Sequence, residues 1–166
     1  LDGLKVRVQD MKSQTDMMKA LGGTPVAMAM GDVYTALQTG IIDGTENNET
    51  ALTTGMHGEI CKFYSVDQHT MIPDVLVIAT DTWEKLSQED RQILIDAAGE
   101  STRNHIEKWE QAVAEAVETA TNDMGVTFIE DVDKDAFRSA TADMIESYKA
   151  QYPKVGDVLD IIDSVE

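Results

Sequence analysis

The stretch "MAMGDVYTALQTGIIDGTENNET", residues 28–50, carries the reading of the fold. A helix is expected over residues 33–39, opened by Gly31 or Asp32 and stopped by Gly40, because glycine accepts the left-handed conformation at a helix end. Ile41 and Ile42 are short, apolar and β-branched, and read as a buried strand turned by Asp43-Gly44. The stretch then delivers Glu46, Asn47 and Asn48 together. Three polar side chains at the end of so apolar an approach point to half of a ligand cleft. An asparagine amide donates and accepts at once, which suits a hydroxy or keto acid. The same cluster has a local reading too, as a turn that caps the next helix.

Upstream, "LKVRV" at residues 4–8 alternates as a strand with one buried face does. Asp10 is placed to cap a helix over residues 11–21, with Met17, Met18 and Leu21 as its apolar stripe and Gly22-Gly23 as its stop. Residues 24–28 read as a second strand, and a helix is expected over 56–63. Downstream, "DVLVIAT" at residues 74–80 is continuously apolar and predicts a strand buried on both faces. From Ser87 to Gly125 the sequence is helix-forming almost throughout, with Ser87 and Asp90 resembling a capping box. A strand at 126–129 and helices at 133–151 and 155–165 complete the series. The alternation gives an α/β class, without internal repeat or low-complexity segment.

Composition narrows the functions. The chain has 166 residues, the size of one domain or of one part of a larger protein. Asp and Glu number 31 against 13 Lys and Arg, a formal charge of −18, so nucleic acid and anionic lipid are repelled. An anionic ligand then needs a local cation working against that field. A single cysteine, Cys61, excludes an internal disulfide and a cysteine zinc cluster. No metal- or cofactor-binding pattern is found. In "EDVDKDAF", residues 130–137, three aspartates alternate as in a calcium loop, but Ala136 stands where that loop needs glycine and Ala142 where it needs glutamate. Those aspartates instead cap and charge the start of the next helix. The sequence starts at Leu1 with no basic-then-apolar leader, which reads as a processed or truncated N-terminus without a signal peptide.

Arg7 ends the first strand, and its planar fork suits a carboxylate through parallel hydrogen bonds; the alternative is a surface arginine paired with one of many acids. His57 and Cys61 lie four apart, the spacing of a nucleophile and base on one helical face, yet no third group orients them. Packing is the plainer reading, and nothing in the sequence argues for an enzyme.

Taken in order, "LDGLKVRV", "MMKALGGTPVAMAMGDVYTALQTGIIDGTENN" and "KFYSVDQHTMIPDVLVIATDTWEKLSQEDRQILIDAA" resemble the extracytoplasmic solute receptors of TRAP transporters, the DctP family. The resemblance covers most of the chain and is strongest over residues 1–98. It implies two α/β lobes joined by a hinge and braced by a long helix. It also implies that an organic acid is trapped between the lobes and passed to TRAP membrane permease subunits driven by a sodium gradient, with the protein in the periplasm. By motif, Arg7 matches the arginine that clamps the ligand carboxylate, Asn47 the cleft asparagine, Glu46 its neighbour, and Asp10 a further polar pocket position. Met30 stands where phenylalanine is common. Asn48 and His69 are additional pocket candidates, and "SVDQHTMIPDVLV" resembles the branch that takes sugar acids, including hexuronates. The resemblance begins about halfway along a family member. Residues 1–166 are therefore expected to be the second lobe with the C-terminal helices, the N-terminal lobe being absent, and exposed apolar surface is expected to favour a dimer or a separate partner chain. An acidic α/β interaction domain without a small-molecule site is the competing reading.

Overall fold

A computed structural model describes residues 1–165. Five strands and seven helices follow in the order β1 (Lys5–Val8), α1 (Lys12–Ala20), β2 (Thr24–Ala27), α2 (Met30–Gln38), β3 (Gly44–Thr45), α3 (Ala51–Thr54), β4 (Phe63–Ser65), α4 (Thr80–Lys85), α5 (Gln88–Asn122), β5 (Thr127–Ile129), α6 (Lys134–Gln151) and α7 (Pro153–Asp163). A 3-10 turn at His57–Glu59 lies between α3 and β4.

The first three strands form a parallel sheet in the order β2-β1-β3, with Arg7 opposite both Val26 and Thr45. The strand period of two separates the faces. Val6 and Val8 pack on Met18 of α1. Val26, in register with Arg7 on the other face, packs against the cluster of Val33, Ala36, Leu37 and Ile42 from α2 and its exit. Each connection is thus a β-α-β unit, the first helix covering one face and the second the other. β4 and β5 form a separate parallel pair.

Glycines stop the first two helices, as the sequence suggests. Gly22 and Gly40 have φ of +83° and +71°. In each case the glycine N–H and the next one return to carbonyls of the last turn: Gly22 to Lys19 and Gly23 to Met18, Gly40 to Leu37 and Ile41 to Ala36. That is the paired closure that satisfies otherwise orphaned carbonyls. Ser87 caps α5, its Oγ accepting from the Asp90 N–H at 3.1 Å, and Asp133 caps α6 through the Ala136 N–H at 3.0 Å.

Four expectations need correction. Asp10 does not cap α1; Met11 holds the N-cap position with no side-chain bond, and Asp10 is exposed. The third strand is Gly44–Thr45, not Ile41-Ile42. Asp43 is what draws it in, because its N–H donates to the Lys5 carbonyl at 2.8 Å while its Oδ2 accepts from the Lys5 N–H at 2.8 Å. Residues 56–63 are not one helix: Met56 sits at φ 55°, which breaks the run after α3. Finally, residues 74–79 belong to no sheet, and Val75, Leu76 and Val77 are 73–79% exposed. Strand propensity is expressed only against a neighbour, and no strand among the described residues pairs with this one.

α5 has 35 residues, which makes it about 52 Å long at 1.5 Å per residue. Only Ala116 and Ala120 are buried on it. Ala120 joins Leu52 and Val126 in the core that ties α3, α5 and β5 together. Toward its start, Ile93, Leu94 and Ile95 remain exposed. No helix among the described residues is long and apolar enough to cross a membrane.

Candidate functional site

β1 lies between β2 and β3: the chain runs from β1 through α1 to β2 on one side, and then from β2 through α2 back across β1 to β3 on the other. At such a reversal the loops after adjacent parallel strands diverge and leave a crevice at their C-terminal ends. Arg7, Met28 with Met30, and Glu46 with Asn47 come from the ends of these three strands.

Arg7 is only 4% exposed although it is charged. Its Nε and Nη2 both donate to the Met28 carbonyl oxygen, at 3.1 and 3.0 Å. Nη1 is buried and has no hydrogen-bond partner. No ion pair among the described residues includes it. A buried guanidinium without a counter-charge is costly, and a carboxylate is the group that relieves the cost. Nη1 is shielded from solvent here, so an acceptor reaches it only when its cover yields. Nearby His57 is almost fully buried; burial first, and then the Arg7 charge, push its pKa down.

Asn47 Nδ2 lies 3.7 Å from the Met30 sulfur, while its Oδ1 accepts from the Asn48 N–H at 2.9 Å. Tyr64 Oη donates to the Asn47 carbonyl at 3.0 Å. Burial, with Glu49, Asp67 and Glu46 around it, pushes the Tyr64 phenol up. Asn48 Oδ1 accepts from the N–H and the hydroxyl of Thr50, at 3.1 and 2.6 Å, which is the local turn role. Asp10 follows the end of β1, exposed and free of side-chain hydrogen bonds among the described residues. His69 is not solitary: Nδ1 lies 2.6 Å from Asp67 Oδ1, and Nε2 is 3.7 Å from Glu46 Oε2.

A cavity of about 340 Å³ lies beside this cluster, between Gly44 and Thr45 of β3 and Phe63 and Tyr64 of β4, with Leu52 and Ile60 beneath. Asn47 and Asn48 line it; Arg7, Met30, Glu46 and His69 do not. Asn47 is therefore the residue common to the strand-end cluster and the cavity.

The Cys61 N–H donates to the His57 carbonyl at 2.8 Å, a backbone contact, and no hydrogen bond among the described residues joins the thiol to the ring. Burial raises the Cys61 thiol pKa and lowers that of His57, the opposite of what a thiolate–imidazolium pair requires. Among the described residues, no group of three or more metal-ligating side chains is assembled.

Sequence reasoning passed over the Met28 carbonyl, Tyr64 and Asp67. An Asp two residues before a His was a usable signal, since that spacing lets a carboxylate reach the ring. The Met28 and Tyr64 contacts span 21 and 17 residues, and nothing local marks them.

Residues 1–151 match the family model described as bacterial extracellular solute-binding protein, family 7 (DctP). A solute-binding protein of Chromohalobacter salexigens is 34% identical over 165 residues, spanning 99% of this chain and 49% of its own length. A TRAP periplasmic solute-binding protein of Anaerococcus prevotii, solved with bound α/β-D-glucuronate, is 40% identical with a TM-score of 0.89 over 99% of this chain and 53% of the other. One from a Sulfitobacter species, solved with β-D-galacturonate, is 33% identical with a TM-score of 0.88 over 96% of this chain and 52% of the other. The chain spans about half the length of the curated relatives it matches.

Proposed function

The chain belongs to the DctP family of bacterial extracellular solute-binding proteins, and from that premise we propose that it is the acid-recognising lobe of a TRAP transporter receptor. Its ligand is a sugar acid of the uronate class, bound by a carboxylate on Arg7 in the crevice at the strand ends. Asn47 supplies a donor and an acceptor, Met30 an apolar wall, and Glu46 with the more peripheral Asp10, Asn48 and His69 the polar surround. The observation that carries the reading is the buried Arg7 fork, two nitrogens fixed on Met28 and the third without a partner, at the reversal of a parallel sheet. Uronates bound to the two similar structures support the ligand class.

Residues 1–166 act in this reading as one lobe with its bracing helices. The exposed apolar residues 75–78 and the start of α5 are the surface against which the other lobe packs or, without it, a second copy. The whole receptor works outside the cytoplasmic membrane and hands its acid to sodium-driven permease subunits.

Calorimetric titration with D-glucuronate, D-galacturonate and a simple dicarboxylate tests the site. Saturable binding of a uronate, lost on Arg7→Ala, is the expected result. Binding of equal strength in wild type and Arg7→Ala would remove the clamp.

A further inference from the structure

We propose that His69 is a positioning residue of this acid site: standing between Asp67 and Glu46, it attracts the Glu46 carboxylate at the end of β3 and offsets its negative charge beside the crevice. The inference rests on the reading of the crevice as an acid site.

Geometry places the ring between two carboxylates, 2.6 Å from Asp67 Oδ1 on one side and 3.7 Å from Glu46 Oε2 on the other. The His69 side chain is 17% exposed, so water screens the arrangement only in part. Nε2 is buried and has no hydrogen-bond partner of its own, which leaves it facing Glu46 as a charge rather than as a bonded donor. Glu46 follows Thr45, the residue in register with Arg7, and precedes Asn47. Glu46 thus shares a strand end with Arg7 and Asn47, and on a chain of formal charge −18 a bare carboxylate there adds to the repulsion of an approaching acid.

The ring is suited to the task. Asp67 first, and Glu46 next, hold its pKa up to about 9 against the opposing effect of burial. Near neutral pH the ring is a cation, so the three groups carry one net negative charge rather than two. Other charged groups at this end do not replace it. Lys134, at the start of α6, donates to Gln68 Oε1 at 2.6 Å, and Lys62 is engaged by the Gly58 and Met124 carbonyls at 2.9 and 2.7 Å. Glu49 adds to the negative field around Tyr64.

The test combines calorimetry with D-glucuronate on wild type, His69→Gln and His69→Lys with an NMR pH titration of the His69 ring in the free wild-type chain. Loss of a charge-assisted contact predicts His69→Gln binding on the order of tenfold weaker near neutral pH. His69→Lys, which keeps the cation, stays within about threefold of wild type. The wild-type affinity falls as pH rises through about 9, and the Gln variant lacks that step. Unchanged affinity in His69→Gln, a Lys variant as weak as the Gln variant, or a ring midpoint at or below the ordinary histidine value each overturns the proposal. If wild type binds the uronate and Arg7→Ala does not, while His69→Gln binds normally, only the role of His69 falls. If wild type binds no uronate, the acid-site reading falls and this inference with it.

Discussion

Arg7 and Met28 are joined twice: Nε and Nη2 of the guanidinium converge on one carbonyl oxygen, at 3.1 and 3.0 Å. The contact fixes the plane of the fork and leaves Nη1 as its unpaired member. An arginine so held loses little further freedom when it receives a carboxylate, which is the advantage of a pre-organised site.

Replacing Arg7 tests that geometry. Arg7→Ala is expected to cost about 2–5 kcal/mol of uronate binding, as truncation of a sheltered charge partner does. Arg7→Lys is expected to lose much of the same energy, because an ammonium cannot bond Met28 and point a second edge at the ligand. Calorimetry on both variants decides; near-normal binding by the lysine variant shows that charge alone suffices.

Leu52→Ala reports on the core that ties the first half of the chain to α5. Leu52 is buried against Ala120 and Val126, and its truncation should destabilise by about 2–5 kcal/mol in urea denaturation. A change within about 0.5 kcal/mol means that this contact does not hold α5 in place.

Gly55→Ala is expected to destabilise by roughly 1–3 kcal/mol. An added Cβ meets the Ala51 carbonyl oxygen at 2.9 Å and His57 Nε2 at 2.9 Å. The first is backbone and cannot give way cheaply. The second packs beside Arg7, so the variant should also weaken acid binding; a normal melting temperature with normal binding contradicts both.

Leu76→Lys separates folding from association. Leu76 is 77% exposed, so the change should leave unfolding free energy within about 0.5 kcal/mol. Self-association measured by sedimentation should fall, because residues 75–78 form an apolar surface. Destabilisation by several kcal/mol shows instead that the segment is buried in the folded chain.

Stability should depend on pH through His69. Its folded pKa, about 9, lies above the ordinary value of 6.5, so the ion pair contributes fully below about pH 6.5 and its contribution is lost as pH rises toward 9. The gain is at most about 3 kcal/mol by linkage. Asp67 works in the opposite sense: the His69 contact lowers its pKa despite burial, so its share is present above the ordinary value of 3.8 and disappears as pH falls through the lowered one. Denaturant titrations should place the greatest difference between wild type and His69→Gln between these limits. A difference that grows above pH 9 contradicts the pairing.

The alternation of strand and helix, the two glycine stops and the Ser87 and Asp133 caps were legible in the sequence. The stops and caps rest on hydrogen bonds within a few residues, so the local chain contains both partners, and the alternation shows in hydrophobic periodicity. The order Arg7, Met30, Asn47 was read from a resemblance to a family, and the fold brings these residues to the ends of three parallel strands. Asp10 follows the end of β1, but the helix cap expected of it is absent, since Met11 holds that position.

What local chemistry left open was settled by partners far along the chain. Gly44–Thr45, not Ile41-Ile42, became the third strand because Lys5, 38 residues away, binds Asp43 through both backbone and carboxylate. Residues 74–79 have the propensity of a buried strand and remain unpaired, because a ladder needs a second strand and no described residue supplies one. His69 carries no sign in its immediate sequence of the Glu46 carboxylate that faces it. Periodicity and turn chemistry fix where elements start and stop; strand pairing and buried charge depend on which distant groups the packed fold brings together.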